Sequence, residues 1–272
     1  MMELEQLKQD WVNDKMCNGP LQAKIWNQRA EEYRRRPIPG PDTNPFLQYL
    51  LEKAKPDKGM NALDIGCGAG LYTIALADYV KESVGTDVSP EMIRGALRRA
   101  EELGAGNTKF LVQDWPNTDL DALGLRAGFD IVFAHMTPAV CDYLTLDRMN
   151  ACARGHCFLV KPARRRDQVQ DAAFEMVGIT EHRKQMDRMV PNAFAYLWLK
   201  GYNPEISYRE EVWEMEQPLK KMTDWCIDRA GLQKSLLPEE EDRIRNFLQD
   251  ISIDENIKET VTTTIVTVYW HV

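Results

Sequence analysis

The sequence predicts an α/β fold built on a doubly wound, mostly parallel sheet. Three observations predict it. Between residues 60 and 161, short apolar segments of strand length alternate with helix-length segments, the order that right-handed βαβ units produce. The strand segments are near-continuous apolar runs, as in Phe129-Asp-Ile-Val-Phe-Ala134, which suits strands covered on both faces by helices. The first strand also leads directly into alternating glycines, Gly66-Cys-Gly-Ala-Gly70. Such a turn brings backbone N–H groups up to a ligand at the start of the following helix.

Each element has a local reason. Residues 1–36 read as two helices, with Pro20 near the start of the second and the run ending before Pro37. Residues 37–45 are rich in proline and read as a linker or loop. Met60–Ile65 is the first strand, and Leu71, Ile74, Ala75 and Leu76 recur at helical spacing over Leu71–Val80. Ser83–Asp87 is the second strand. Ser89-Pro90-Glu91 then supplies an N-cap, a proline at the first helical position and an early acid, and Gly104 closes that helix. Lys109–Gln113, Phe129–Ala134 and Cys157–Val160 read as further strands, with a helix around Tyr143–Ala153 between the last two. Met189–Lys200 is an apolar, aromatic helix candidate broken by Gly201-Tyr-Asn-Pro204. Glu205–Met215 and the β-branched, aromatic Thr260–Val272 complete the strands.

Composition narrows the classes of function. The 272 residues carry 34 Lys+Arg against 42 Asp+Glu, a net charge of −8, and 44% hydrophobic residues, which excludes disorder as the default state. Residues 204–272 hold seven of those eight net charges. An acidic chain gains no long-range attraction to nucleic acid, whose binding depends on Lys/Arg neutralising phosphate. Arg34-Arg35-Arg36 and Arg164-Arg165-Arg166 are the basic clusters, each read as solvated helix surface rather than as a phosphate site. Apolar stretches such as Ala193–Leu199 fall far short of the ~20 residues of a membrane span. The start, Met-Met-Glu-Leu-Glu-Gln, lacks the features of a signal peptide. Six cysteines, Cys17, Cys67, Cys141, Cys152, Cys157 and Cys226, show no metal-ligand spacing. The expectation is a cytoplasmic protein with free thiols, no metal and no membrane partner.

The glycine turn carries the chemistry. Asp64 stands two residues before Gly66, and Asp87 ends the next strand 21 residues after Gly66. In a doubly wound sheet a carboxylate at that place binds ribose hydroxyls. The dinucleotide pattern GxGxxG would need glycine or alanine where Leu71 stands. With Asp64-Ile-Gly-Cys-Gly-Ala-Gly70, Asp87-Val-Ser-Pro-Glu-Met92, Gln113-Asp114-Trp115 and Phe129-Asp-Ile-Val-Phe-Ala-His135 in that order, the chain resembles the class I S-adenosylmethionine (SAM)-dependent methyltransferases. The resemblance covers residues 60–161 closely and extends loosely to Trp26-Asn-Gln-Arg-Ala-Glu-Glu-Tyr33.

The resemblance implies a Rossmann-like, seven-stranded sheet, mostly parallel with an antiparallel C-terminal strand, plus helical cap elements. It implies SAM as cofactor, leaving S-adenosylhomocysteine (SAH) as product. By the same resemblance Gly66, Cys67, Gly68 and Gly70 hold the methionine part of SAM, with Asp64 near its amino group. Asp87 takes the ribose diol, and Val88 and Met92 flank adenine. Asp114 accepts from the adenine amino group, with Gln113 and Trp115 beside it. His135 and Met136 line the methyl-transfer pocket. Trp26 and Tyr33 close over the cofactor, where aromatic faces beside a sulfonium also make physical sense; a helix stripe packed on the core is the alternative for these two.

SAM carries an activated methyl, so the protein needs chiefly to align the reactants, exclude water and remove a proton where the acceptor has one. His135, at the carboxyl end of a strand, is the candidate base; hydrogen bonding to SAM or loop backbone is its alternative role. The segment His135-Met-Thr-Pro-Ala lacks the Asn/Asp-Pro-Pro-aromatic motif of amino-methylating nucleic-acid enzymes. With the acidic charge this favours a small-molecule acceptor over nucleic acid. Met186, Met189, Phe194, Tyr196 and Trp198 are expected to cap an apolar acceptor pocket. One domain is expected over 1–272: N-terminal helices and linker at 1–59, SAM-binding core at 60–161, inserted cap at 181–204 and sheet completion at 205–272. A SAM-binding protein that has lost transfer and an NAD-type oxidoreductase are the competing functions.

Overall fold

The computed structural model describes residues 3–12 and 19–272; Cys17 lies outside them. The strands are β1 (Asn61–Ile65), β2 (Glu82–Asp87), β3 (Thr108–Val112), β4 (Phe129–His135), β5 (Ala153–Asp167), β6 (Glu205–Pro218) and β7 (Asn256–His271). They form one seven-stranded sheet in the order β3-β2-β1-β4-β5-β7-β6. Pairings β3–β2, β2–β1, β1–β4 and β4–β5 are all parallel, and the C-terminal strands are antiparallel. The helices are α1 (Leu4–Asp10), α2 (Gly19–Arg34), α3 (Pro45–Ala54), α4 (Leu71–Ala77), α5 (Pro90–Glu102), α6 (Tyr143–Cys152), α7 (Gln168–Met176), α8 (His182–Leu199), α9 (Leu219–Gly231) and α10 (Pro238–Ile251). The Rossmann-like sheet expected from the sequence is present.

Two compact units share the chain. The first comprises Met1–Lys161, Pro191–Ser207 and Thr267–Val272, and the second Pro162–Val190 and Tyr208–Val266. The expected SAM-binding core, 60–161, falls wholly within the first. The expected cap divides, with Met186 and Met189 in the second unit and Phe194, Tyr196 and Trp198 in the first.

In the first unit the core is the centre of the parallel sheet. Ala62, Leu63 and Ile65 of β1, Ile131–Ala134 of β4 and Cys157–Val160 of β5 are buried on both faces, which is why these strands read as unbroken apolar runs. Strand order reverses between β1 and β4, the place where open α/β sheets bind ligands beyond their carboxyl ends. Helix α5 starts as its sequence requires: Ser89 Oγ accepts from Met92 N at 3.1 Å, and Pro90 occupies the first position. Helix α3 uses the same device, with Asn44 Oδ1 accepting from Leu47 N at 2.9 Å ahead of Pro45.

The second unit has its own core. Val169, Ala173 and Phe174 of α7 pack with Met222, Cys226 and Ala230 of α9 and with Ile244 and Leu248 of α10. Strand β5 is much longer than the expected Cys157–Val160, because after Pro162 the chain keeps strand periodicity with polar residues. The basic run Arg164–Arg166 therefore lies on a strand and not on a helix. Arg165 grips Asp167 with two bonds of 2.6 Å and lies 5.4 Å over the Trp213 ring. Arg34–Arg36, by contrast, end α2 and pair with Glu31 and Glu32. Helix α8 starts earlier than Met189 and carries Pro191 inside it. Cys67, Cys141, Cys152, Cys157 and Cys226 form no disulfide among the described residues.

Candidate active site

The carboxyl end of β1 delivers the chain into a left-handed turn. Gly66, Gly68 and Gly70 have φ of 71°, 54° and 76°, a region that favours glycine. Gly66 is also held by contact: a Cβ there would lie 2.0 Å from Thr137 Oγ1. The turn is tied to β2 by Gly66 N and Cys67 N donating to Thr86 O at 2.7 and 2.9 Å. A Cβ on Gly68 would meet nothing nearer than Met92 Sδ and Tyr33 Cδ1, both at 3.9 Å. That leaves the backbone of Gly68 approachable by a ligand.

Two carboxylates flank the turn. Asp64 is 2% exposed, and its Oδ2 accepts from Thr73 Oγ1 at 2.8 Å. Asp87 Oδ2 accepts from Gly68 N at 2.9 Å and Oδ1 from Ser89 N at 2.8 Å. Burial pushes the Asp64 carboxyl up to about 7, with the charge of Asp87 adding to it. Burial likewise pushes Asp87 up to about 6, against the pull of the Ser89 and Gly68 amides. Two largely buried acids beside the turn, one of them already bonded to Gly68 N, suit a ligand that brings an ammonium and hydroxyl donors. The Cys67 thiol is raised well above its ordinary value by burial and by these acids, so it stays protonated.

Helix α2 closes on the turn. Ala30, Trp26 and Tyr33 form one cluster with Ala69 and Met92, and the two rings meet edge-on at 5.9 Å. Asn27 Oδ1 accepts from Ser89 Oγ at 2.6 Å, which anchors α2 to the cap of α5. The structure thus brings Trp26, Tyr33, Gly66–Gly70, Asp64, Asp87 and Met92 together. At the end of β3, Asp114 Oδ2 accepts from Asn117 Nδ2 at 2.7 Å. A Cβ on Gly19, the first residue of α2, would lie 2.5 Å from the same oxygen. Val88 and Gln113 are half-buried. Trp115 is buried, and its indole N–H donates to Thr145 O at 3.2 Å; in this structure it packs on α6.

At the end of β4, His135 lies 4.4 Å from the Tyr72 ring and 4.6 Å from Phe46. Tyr72 Oη is 3.4 Å from His135 Nε2 and accepts from Asn44 Nδ2 at 3.0 Å. Met136, the next residue, has φ of 53°, outside the ordinary range for a side chain of its size. Sequence reading missed Thr73, Tyr72, Asn44, Phe46, Asn27 and Thr137. Tyr72 had a signal, since it stands in the first turn after the glycines. Of the cap residues, Tyr196 is buried with its hydroxyl donating to Asp147 Oδ2 at 2.7 Å, and Trp198 is 59% exposed and stacked on Phe194. An open depression of about 600 Å³, lined by residues including Asp119, Arg126 and Arg148, shares no residue with the glycine-turn cluster.

A parallel sheet with a GxGxG turn at its switch point, Asp64 one residue before the end of the first strand and Asp87 ending the second is the arrangement that the resemblance to class I methyltransferases implies. Residues 56–188, just under half of the chain, match the family model described as a methyltransferase domain, which supports a class I SAM-dependent methyltransferase. Over 85 residues the chain is 38% identical to the 23S rRNA (uracil(1939)-C(5))-methyltransferase RlmD of Xylella fastidiosa, covering 31% of this chain and 19% of that protein. Over 99 residues it is 30% identical to the Nocamycin O-methyltransferase of Saccharothrix syringae, covering 35% of this chain and 34% of that protein. These alignments span about a fifth and about a third of the two relatives. The crystal structure of the YcgJ protein of Bacillus subtilis superposes with a TM-score of 0.50 at 17% identity, covering 82% of this chain and 97% of that one; this likeness concerns the fold.

Proposed function

We propose that the chain is an enzyme that transfers the methyl group of SAM to a small-molecule acceptor by in-line displacement. One observation carries the reading: two buried carboxylates, Asp64 and Asp87, face the GxGxG turn with raised proton affinity. The residues present fit SAM. The Gly66–Gly70 backbone and the start of α4 take its methionine part, Asp64 its amino group and Asp87 its ribose hydroxyls. Val88, Met92, Gln113 and Asp114 border adenine, and Trp26 and Tyr33 cover it. SAM, when bound, supplies the activated methyl. The chain's own work is to orient, to exclude water through α2, and to take a proton at His135 Nε2 where the acceptor carries one.

The small-molecule acceptor is supported by the acidic net charge of −8, by the His135-Met-Thr-Pro segment, and by the Nocamycin O-methyltransferase relative. The rRNA relative supplies the rival acceptor class. No helix among the described residues is long and apolar enough to cross a membrane, and we assign the enzyme to the cytoplasm without a membrane partner.

Calorimetric titration of the chain with SAH and with NAD tests the cofactor. Micromolar SAH binding, lost by at least tenfold in Asp87→Ala with the fold retained, is expected; NAD binding in place of SAH would overturn the reading. Incubation with methyl-labelled SAM, a metabolite extract and total RNA tests the acceptor. Label in the small-molecule fraction is expected, and label in RNA alone would reverse the choice. SAH binding with no labelled product in either fraction would mark a binding protein that has lost transfer.

A further inference from the structure

Lys161 is the last residue of the first unit, directly beyond Val160, which pairs with His135 across the β4–β5 ladder. It is 6% exposed, and its Nζ donates to the carbonyl of Thr137. No carboxylate among the described residues pairs with it. Burial lowers its pKa to about 8, and the Cys141 thiol is the group that acts to raise it. A buried amine held by one neutral carbonyl costs stability relative to an apolar side chain of the same volume. The position at the carboxyl edge of the sheet, where ligands bind, gives a reason for keeping it.

The carbonyl it holds belongs to a junction. Thr137 packs flush on the glycine turn, its Oγ1 occupying the space 2.0 Å from a Cβ on Gly66. The same Oγ1 accepts from Ala139 N at 3.2 Å. The far end of the loop is fixed separately: Cys141 N donates to Thr145 Oγ1 at 2.9 Å, and Asp142 caps α6. Met136 N donates to Val160 O at 3.0 Å. Residues 136–141 are thus pinned at the α6 end by the cap and at the β4 end through Thr137.

We propose that Lys161 is a positioning residue of the methyl-transfer site: its buried amine, bonded to the Thr137 carbonyl, fixes the loop 136–141 against Gly66 and so holds the cofactor turn and the His135 end of β4 in register. The proposal rests on the methyltransferase reading of this site. A loop displaced by an ångström at a reacting centre is enough to reduce turnover substantially; here the loop and the turn that would grip the cofactor are coupled through one side chain.

The test uses Lys161→Met, which keeps the volume and removes the amine, and Lys161→Arg, which keeps the charge and the donors. Thermal unfolding and SAH affinity are measured on each. The expected result separates the two readouts: Lys161→Met melts at or above the wild-type temperature yet binds SAH about tenfold more weakly, and Lys161→Arg recovers part of that affinity. A residue that merely fills space would move stability and affinity together. If Lys161→Met does not fold, Lys161→Gln decides, since it shortens the side chain and removes the charge that reaches the Thr137 carbonyl, and it is expected to weaken SAH about fivefold. SAH affinity within twofold of wild type in whichever of the two variants lacking the amine folds would overturn the proposal. Wild-type protein that fails to bind SAH at all would instead overturn the methyltransferase reading, a separately visible outcome.

Discussion

At the scale of single residues, the acids beside the glycine turn make the site pH-sensitive. Asp64 and Asp87 titrate at about 7 and about 6 in the folded chain, above the ordinary value near 4 of an exposed aspartate. Between those values the folded state binds more protons than the unfolded one. Their contribution to stability is therefore largest in acid and falls as pH rises through about 4 to 7. A ligand that brings an ammonium to Asp64 and hydroxyls to Asp87 favours the ionised forms, so its stabilising effect grows over the same window. The rise in melting temperature caused by SAH is expected to be larger at pH 8 than at pH 5.5, and Asp64→Asn should flatten the difference. An SAH effect independent of pH would remove Asp64 from the cofactor's surroundings. Asp87 was legible from its place at the end of the second strand, and Asp64 through the motif that carries the family resemblance. Thr73, Thr137 and Lys161 were not, since their roles depend on partners that only the fold brings near.

At the scale of elements, Gly66 and Gly104 separate conformational strain from packing. Both have positive φ, 71° and 68°, but a Cβ on Gly104 meets nothing within 4 Å whereas one on Gly66 meets Thr137. Gly104→Ala is expected to cost about 1 kcal/mol, the backbone contribution alone. Gly66→Ala should cost roughly 2–4 kcal/mol and lose SAH binding, and Thr137→Ala in that background should restore part of the stability. Urea unfolding of the single and double variants measures this; equal costs for the two glycines would mean that the Thr137 contact is slack. The parallel strands and α5 were legible because period, cap and breaker agree there. Helix α3 carried an equally plain signal, Asn44-Pro45 before an apolar stripe, hidden by the proline-rich run ahead of it. The extension of β5 was hidden because Pro162 and three arginines end the apolar run, although alternating burial continues through Asp167. The adenine-side role expected of Trp115 meets a ring that α6 already surrounds, a tertiary contact that no local pattern announces.

At the scale of the whole molecule, the charge bears on the acceptor. With net −8 and 8 basic against 15 acidic residues over 204–272, the chain should show no binding to an rRNA-derived hairpin at ~150 mM salt and only weak binding when salt is lowered, because few phosphates can be neutralised. Submicromolar binding with a steep salt dependence would shift the acceptor towards RNA. The order of the sheet has a different consequence, in time rather than in space. Strand β7 is made after β6, yet it lies between β5 and β6. On the ribosome, β6 therefore emerges about forty residues before its neighbour exists, since β6 ends at Pro218 and β7 begins at Asn256. Until then its backbone groups are an open edge of the kind that invites pairing with other chains. The glycine turn between β1 and α4 is synthesised long before, so the nascent chain would hold the proposed cofactor site while its sheet still lacks an inner strand. Cofactor bound at that stage would stabilise the part already folded and leave the vulnerable interval, from residue 218 to residue 256, unprotected.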